Sequence, residues 1–495
     1  MFNLKCPLVK ANMKTKITYL FLLLMTMVLG LHSCKADKVD GAVFSLSIDG
    51  QESTSITFDY GQTFVMAKLS SNAGWSLSSD QPWCTLSNVS GNPTDEQYIK
   101  IAVERNTTDA ERTATITMNA GGNIRQYTVT QTSKNAETYP VGMEKDAIET
   151  IKSIQMGINL GNTLEATDGE EAWGAPHTTQ AIIDQMKAWG FNAIRVPCSW
   201  NQYLEADGIT IKPDWMNRVK EVVDYCMNAD MYTIINIHWD GGWMEGSCDA
   251  SMMTSDSIAR VEAKVYKLWT QIATTFRDYD GRLLFAGANE PVVESREDMI
   301  VLNRYEQAFV HAVRRTGGNN LYRNLVIQGP RTDINRTDMW MELPEDTVSA
   351  RTIVEVHYYD PFNFCLNEEE ETSTYFWGKP YAQYGPIDEG WQEEHVCKQF
   401  DKMKKKFVDK GIPLVLGEYC SMYRTHPVDS LQEICHESQG YFTGYVTEQA
   451  KNNGLAPFLW DIQNGGLFDR STGTILLPTV YNQLKEGAER GQYPY

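Results

Sequence analysis

Leu283-Leu284-Phe285-Ala286-Gly287-Ala288-Asn289-Glu290-Pro291 is an apolar run that stops abruptly in an amide, a carboxylate and a proline. Large apolar residues bounded by a turn signal suit a parallel strand covered on both faces, and a proline cannot extend the ladder. Glu290 is thereby delivered just past the carboxyl end of a buried strand. Pro413-Leu414-Val415-Leu416-Gly417-Glu418-Tyr419 repeats the arrangement with a second glutamate. One such acid alone reads as an ordinary loop carboxylate; two arriving the same way read as a pair. Glycoside hydrolysis needs one carboxylic acid to protonate the leaving oxygen and one carboxylate to attack, or to activate water, on the opposite face.

Outward from these two strands, apolar segments alternate with helical patterns and end near Asn159, Pro197, His238, Glu290, Gly329, His357, Glu418 and Trp460. Eight such units predict an α/β fold closed as a (β/α)8 TIM barrel, in which catalytic groups collect at the carboxyl ends of the strands. Pro213 to Ala229 is a plain intervening helix, with a Pro-Asp start and Val219, Val222, Val223 and Cys226 on one face. The unit between Pro330 and Ala350 shows only a poor helix. The strand ends carry Arg195, His238, Asn289 with Glu290, His357 with Tyr359, Glu418 and Trp460. A lone histidine on an apolar strand is usually a satisfied core residue. Two at equivalent rims beside two glutamates read as part of a site.

These residues, with Met156-Gly157-Ile158-Asn159-Leu160-Gly161-Asn162-Thr163-Leu164-Glu165 and Trp173-Gly174, resemble glycoside hydrolase family 5, most of all its subfamily 4. The resemblance covers about residues 140 to 490. It implies Glu418 as nucleophile and Glu290 as acid/base, with Arg195, His238, Asn289, His357, Tyr359 and Trp460 binding substrate. Arg195 and Tyr359 are expected to hydrogen-bond Glu418, and Asn289 to donate to the sugar 2-hydroxyl. Trp460 is expected to offer a flat face beneath the ring being cleaved. Glu290 is expected to be held protonated by poor solvation and by the charge across the cleft. No metal or other cofactor is required. One departure is Trp239, where many members carry a second histidine. Trp173, Trp200, Trp243, Trp377 and Trp391 fall in loops after strands and are candidate sugar platforms.

Before the barrel, from about residue 42 to 134, the pattern changes to period-two alternation, as in Tyr98-Ile99-Lys100-Ile101-Ala102-Val103, punctuated by Gly, Asn and Asp turns. This predicts a small all-β, immunoglobulin-like sandwich. Gly74-Trp75-Ser76, Gln81-Pro82-Trp83, Ser90-Gly91, Arg105-Asn106, Arg112 and Val129-Thr130-Gln131 together resemble the BACON domain. That family's name implies carbohydrate binding, whereas Trp75 and Trp83 at strand starts suit core anchoring, so a spacer is expected.

Lys14 and Lys16 precede an apolar stretch from Tyr19 to Leu31, too short and wrongly flanked for a membrane span. Leu31-His32-Ser33-Cys34 resembles a bacterial lipobox, which implies cleavage before Cys34 and lipidation of its thiol. The chain therefore divides into a lipoprotein signal peptide (1–33), a tether (34–41), the sandwich (42–134), a linker (135–140) and the catalytic barrel (141–495). An outer-membrane lipoprotein exposed at the cell surface is implied, with the membrane held through the lipid anchor.

The 495 residues are 42% hydrophobic with a net charge of -20, which suits a folded protein and disfavours nucleic acid, since phosphate neutralisation needs a basic surface. Lys402 to Lys406 reads as the solvated face of a helix, and Glu368 to Glu371 as a solvated loop. Ten cysteines without metal-ligand spacing suggest no disulfide framework; Cys198, Cys226 and Cys420 read as small buried hydrophobes. The expected activity is a retaining endo-β-1,4-glucanase on cellulose-like or xyloglucan-type β-glucan. The alternatives are a mannanase or xylanase on the same machinery, and a glycan-binding lipoprotein without turnover.

Overall fold

The computed structural model describes residues 41–48, 50–106, 108–133 and 139–495. The apolar leader, the lipobox with Cys34 and most of the linker lie outside the described residues. Among those described, no helix is long and apolar enough to cross a membrane. The chain forms two compact units that divide after Ser133.

The first unit is a sandwich of two five-stranded sheets. In one, Phe64–Ser71 lies between Phe44–Ile48 and Thr94–Val103; in the other, Arg112–Ala120 lies between Asn123–Gln131 and Trp75–Ser79. Burial alternates along Arg112–Ala120, as period-two side chains require when one face is packed. Phe58, Leu69, Ile99, Ile101, Ile116, Met118 and Val129 make the core. Trp75 belongs to it, and Gly91 is glycine because a Cβ there would lie 2.5 Å from the indole. Trp83 is half-buried at its edge, with the Arg112 guanidinium 4.2 Å from the ring centroid.

The second unit is a closed parallel barrel of eight strands: β1 (Gly157–Asn159), β2 (Ala193–Val196), β3 (Tyr232–Asn236), β4 (Leu283–Ala286), β5 (Leu325–Gln328), β6 (Thr352–Tyr358), β7 (Leu414–Tyr419) and β8 (Leu455–Leu459). Outward-facing Ile194, Ile235, Phe285, Ile327, Val356 and Leu416 meet the helices in one large core. A second cluster fills the barrel's interior: Ala193, Ile234, Leu284, Ala286, Val326, Ile353, Val415, Ala456 and Phe458. The short helix Ala147–Ser153, started by an Asp146–Glu149 capping box, packs Ala147 and Ile151 into the same cluster.

Two residues further along the strands the same inward positions change character: Ala193 is followed by Arg195, Ile234 by Asn236, Val326 by Gln328, and Ile353 by Glu355 and then His357. The poor helix expected after Pro330 is present but has only seven residues, Ile334–Trp340. All eight cysteines among the described residues are free; Cys198 and Cys226 are buried, while Cys420 is only partly so.

Candidate active site

The upper layer of the barrel interior brings together Arg195 on β2, Asn289 and Glu290 after β4, Glu355 and His357 on β6, Tyr359 just past it, and Glu418 on β7. Arg195 is fully buried, and its guanidinium fork spans the barrel. Its Nη1 donates to Glu418 Oε1 at 2.8 Å and to Asn159 Oδ1 at 3.0 Å, its Nη2 donates to Asn289 Oδ1 at 2.6 Å, and its Nε pairs with Glu355 Oε1 at 3.0 Å. Tyr359 donates its hydroxyl to the other Glu418 oxygen at 3.0 Å. Both oxygens of Glu418 are thus held, and the carboxylate is presented in one orientation.

Glu290 is the more solvated acid, its side chain 43% exposed. His357 Nδ1 lies 2.7 Å from its Oε1, and Thr332 Oγ1 lies 3.4 Å from the same atom. One oxygen each of Glu290 and Glu418 and one nitrogen of His357 lie within 4.8 Å of one another. The backbone that carries the dipeptide is fixed from behind: Asn289 N and Glu290 N donate to Glu245 Oε1 at 2.7 and 2.5 Å. Burial pushes the Glu245 carboxyl up to about 8, against the pull of those two amides.

Electrostatics correct one expectation. The Glu290 carboxyl is shifted down, not up: burial alone would raise it, but His357 and Arg195 outweigh burial and leave it below the usual carboxylate range. The His357 imidazole is shifted in the opposite direction. Burial alone would lower that imidazole, yet Glu418, Glu290 and Glu355 push it up to about 10. Glu355 itself is fully buried but stays low because Arg195, His357 and Gln328 outweigh the desolvation. His238 goes the other way, held well below the usual imidazole value by burial and by the cations Arg195 and His357.

On the other flank His238 and Trp460 lie parallel, 6.1 Å between ring centroids and 9° between planes, both partly accessible. Asn236 Nδ2 lies 3.3 Å from His238 Nδ1. Gly161 lets the chain pass beside Trp460, since a Cβ there would lie 3.1 Å from the indole and 2.6 Å from the Asp461 carbonyl. Of the five candidate platforms, Trp200 and Trp377 are fully buried and serve packing. Trp200 Nε1 donates to Asn236 O and Trp377 Nε1 to Trp391 O, each at 2.9 Å, so their polar ends are satisfied inside. Trp243 is half-buried under Lys264. Trp173 and Trp391 are exposed, as is Trp239, the residue noted as a departure from the family pattern.

Glu355, Gln328 and Glu245 were not singled out in the sequence. An acid in the middle of Thr352-Ile353-Val354-Glu355-Val356-His357, two residues before a site histidine and so on its face of the strand, was the available signal. For Glu245, in a loop, there was none.

Comparison with known proteins agrees with this arrangement. The family model described as cellulase (glycosyl hydrolase family 5) matches residues 152–466, and the BACON model matches residues 73–132. A xyloglucan-specific endo-beta-1,4-glucanase of Bacteroides ovatus is 33% identical over 450 residues, covering 86% of this chain and 88% of the relative. Endoglucanase B of Clostridium cellulovorans is 32% identical over 358 residues, covering 69% and 75%. Among solved structures, a Bacteroides ovatus family 5 xyloglucanase in complex with a XXXG heptasaccharide superposes with a TM-score of 0.67 at 30% identity over 90% of this chain and 100% of that one. A xyloglucan-specific beta-1,4-glucanase from a ruminal metagenomic library, in complex with XXLG, superposes with a TM-score of 0.66 at 39% identity, covering 71% and 98%. With an eight-stranded barrel that presents two carboxylates across its carboxyl-end cleft and a family match over most of its length, this chain is a glycoside hydrolase and belongs to glycoside hydrolase family 5.

Proposed function

We propose that the chain is a retaining endo-β-1,4-glucanase acting on cellulose-like or xyloglucan-type β-glucan. The observation that carries this reading is the closeness of the two carboxylates, with an oxygen of each within 4.8 Å. Retaining glycosidases hold their carboxyls about 5–5.5 Å apart, whereas inversion needs about 6.5–9.5 Å to admit a water. Glu418, anchored through both oxygens, attacks the anomeric carbon while Glu290 gives a proton to the departing glycosidic oxygen. Glu290 then takes a proton from water, whose oxygen displaces Glu418 from the glycosyl ester and restores both acids.

The binding residues take their roles from chemistry and position. Asn289 spends its Oδ1 on Arg195, which leaves its amide N–H groups for the sugar 2-hydroxyl. Trp460 with neutral His238 forms the apolar floor and wall of the subsite being cleaved. Exposed Trp239, Trp173 and Trp391 suit stacking along an open groove, and therefore attack within long chains. The names of the relatives support a β-1,4-glucan backbone, with xyloglucan first. The lipobox at Cys34 supports an outer-membrane, surface-exposed lipoprotein, with the sandwich as the spacer between lipid and barrel.

Release of aglycone from a chromogenic cellobioside, with the β-anomer appearing first by NMR, is the expected result; a first-formed α-anomer would refute retention. A panel of β-glucan, xyloglucan, mannan and xylan decides the backbone. Activity confined to mannan or xylan would replace the glucanase reading with its alternative.

A further inference from the structure

The reaction described above uses Glu290, Glu418 and their immediate donors, and leaves one charged group in the same cluster without a task. Glu355 is fully buried on β6 and surrounded by partners: Oε1 forms an ion pair with Arg195 Nε at 3.0 Å and lies 3.2 Å from His357 Nε2, and Oε2 accepts from Gln328 Nε2 at 2.5 Å. The neighbouring strand is shaped around it. A Cβ on Gly417, the residue before the nucleophile, would lie 2.0 Å from Glu355 Oε1. A buried carboxylate is expensive unless it is paired, so its presence two layers into a barrel asks for a reason beyond packing.

Its position supplies one. Glu355, His357 and Glu290 form a continuous line, with a carboxylate on one ring nitrogen and the acid/base on the other at 2.7 Å. We propose that Glu355 is a positioning residue that keeps the His357 Nε2 proton directed into the barrel, so that His357 Nδ1 and Glu290 share the single proton delivered to the leaving oxygen. This rests on the assignment of Glu290 as acid/base. A carboxylate that fixes an imidazole's tautomer and orientation while steadying its cation is a general catalytic device.

The proton balance is closed. His357 Nδ1–H passes to Glu290 Oε1, leaving a neutral ring that still donates Nε2–H to Glu355. Glu290 passes its proton to the glycosidic oxygen, and the water of the second step returns one to the Glu290–His357 pair. The other groups facing His357 do not supply this function. Arg195 is a permanent cation, Glu418 lies 3.7 Å from Nδ1 and is consumed as nucleophile, Tyr359 is neutral, His238 is neutral, and Glu245 bonds only backbone amides.

Two measurements test it. In protein carrying 15N-histidine, one imidazole of the eight, assigned with His357→Asn, should remain doubly protonated at pH 8, where ordinary histidines are neutral. A neutral His357 at that pH overturns the proposal whatever the activity. In Glu355→Gln, which keeps the side chain's size and removes its charge, the alkaline limb of kcat/KM against pH should move to lower pH by about 1–3 units, because a fixed negative charge no longer retains the shared proton. Glu355→Asp, which keeps the charge, should leave the limb near its wild-type position. A loss of rate in both variants with an unmoved limb would make Glu355 a purely structural residue and refute the proposal. If Glu355→Gln fails to fold, a limb in Glu355→Asp displaced as far as about a unit would refute it instead. Absence of any hydrolysis by the wild-type chain would count against the glucanase reading alone, since the imidazole spectrum needs no turnover.

Discussion

The two layers of the barrel's interior are made by the same strands, two to four residues apart, and have opposite chemistry. The lower layer is Ala193, Ile234, Leu284, Val326, Ile353, Val415 and Ala456, all apolar and fully enclosed. The upper layer is Arg195, Asn236, Gln328, Glu355, His357 and Glu418, also buried but charged or polar. Burial in the lower layer is favourable in itself, about 1.5–3 kcal/mol for a large aliphatic side chain. In the upper layer each charge has a desolvation cost that only its partners offset. A few residues along each strand therefore separate the part that stabilises the barrel from the part that stabilises a transition state.

The sharpest way to break that division is at Glu418. Glu418→Gln should lower kcat/KM on every substrate by on the order of 10^5, because without the nucleophile only binding and electrostatics remain; a loss common to all leaving groups is the check. Glu290→Ala should cost about 10^2–10^4 on natural glucan or a poor leaving group and far less on a dinitrophenyl cellobioside, which needs no proton. Equal losses on the two substrates would remove Glu290 from its role.

The lower layer should respond the opposite way. Leu284→Ala is expected to lower unfolding free energy by about 2–5 kcal/mol in denaturant titration while kcat stays near wild type where the protein is folded. A large fall in kcat at unchanged stability would mean the two layers are not separable. A smaller effect tests the upper layer's charges through pH. His357 is raised in the folded state to about 10, so its contribution to stability is full below the ordinary imidazole value near 6.5 and is lost as pH rises through 10. Melting temperature should fall between pH 7 and 10, and His357→Asn should flatten that slope.

The smallest effect is expected in the sandwich. Trp75 is spent on its own core and Trp83 on Arg112, so neither is a free platform. Trp83→Ala in the full chain should leave kcat/KM on soluble xyloglucan within about twofold, since a ring spent on packing contributes nothing to substrate affinity. Calorimetric binding by the sandwich alone, abolished by this substitution with the domain still folded, would show a carbohydrate-binding module.

Much of this was legible in the chain itself. Buried parallel strands are almost continuously apolar, so eight of them at regular intervals announce a barrel, and a polar residue at each strand's end announces its active rim. Arg195, Asn289, Glu290, His357, Tyr359 and Glu418 could be named because they stand where an apolar run stops. The tertiary structure decided what no local pattern records. Glu355 lies within an apolar run, and only closure of the barrel shows that it meets Arg195 from another strand. Trp200 and Trp377 look like rim aromatics in one dimension, and only packing turns them inward. How strongly the imidazole holds its proton depends on three carboxylates converging on it from β4, β6 and β7; two of them, Glu290 and Glu418, are remote in the chain and reach it only once the barrel has closed.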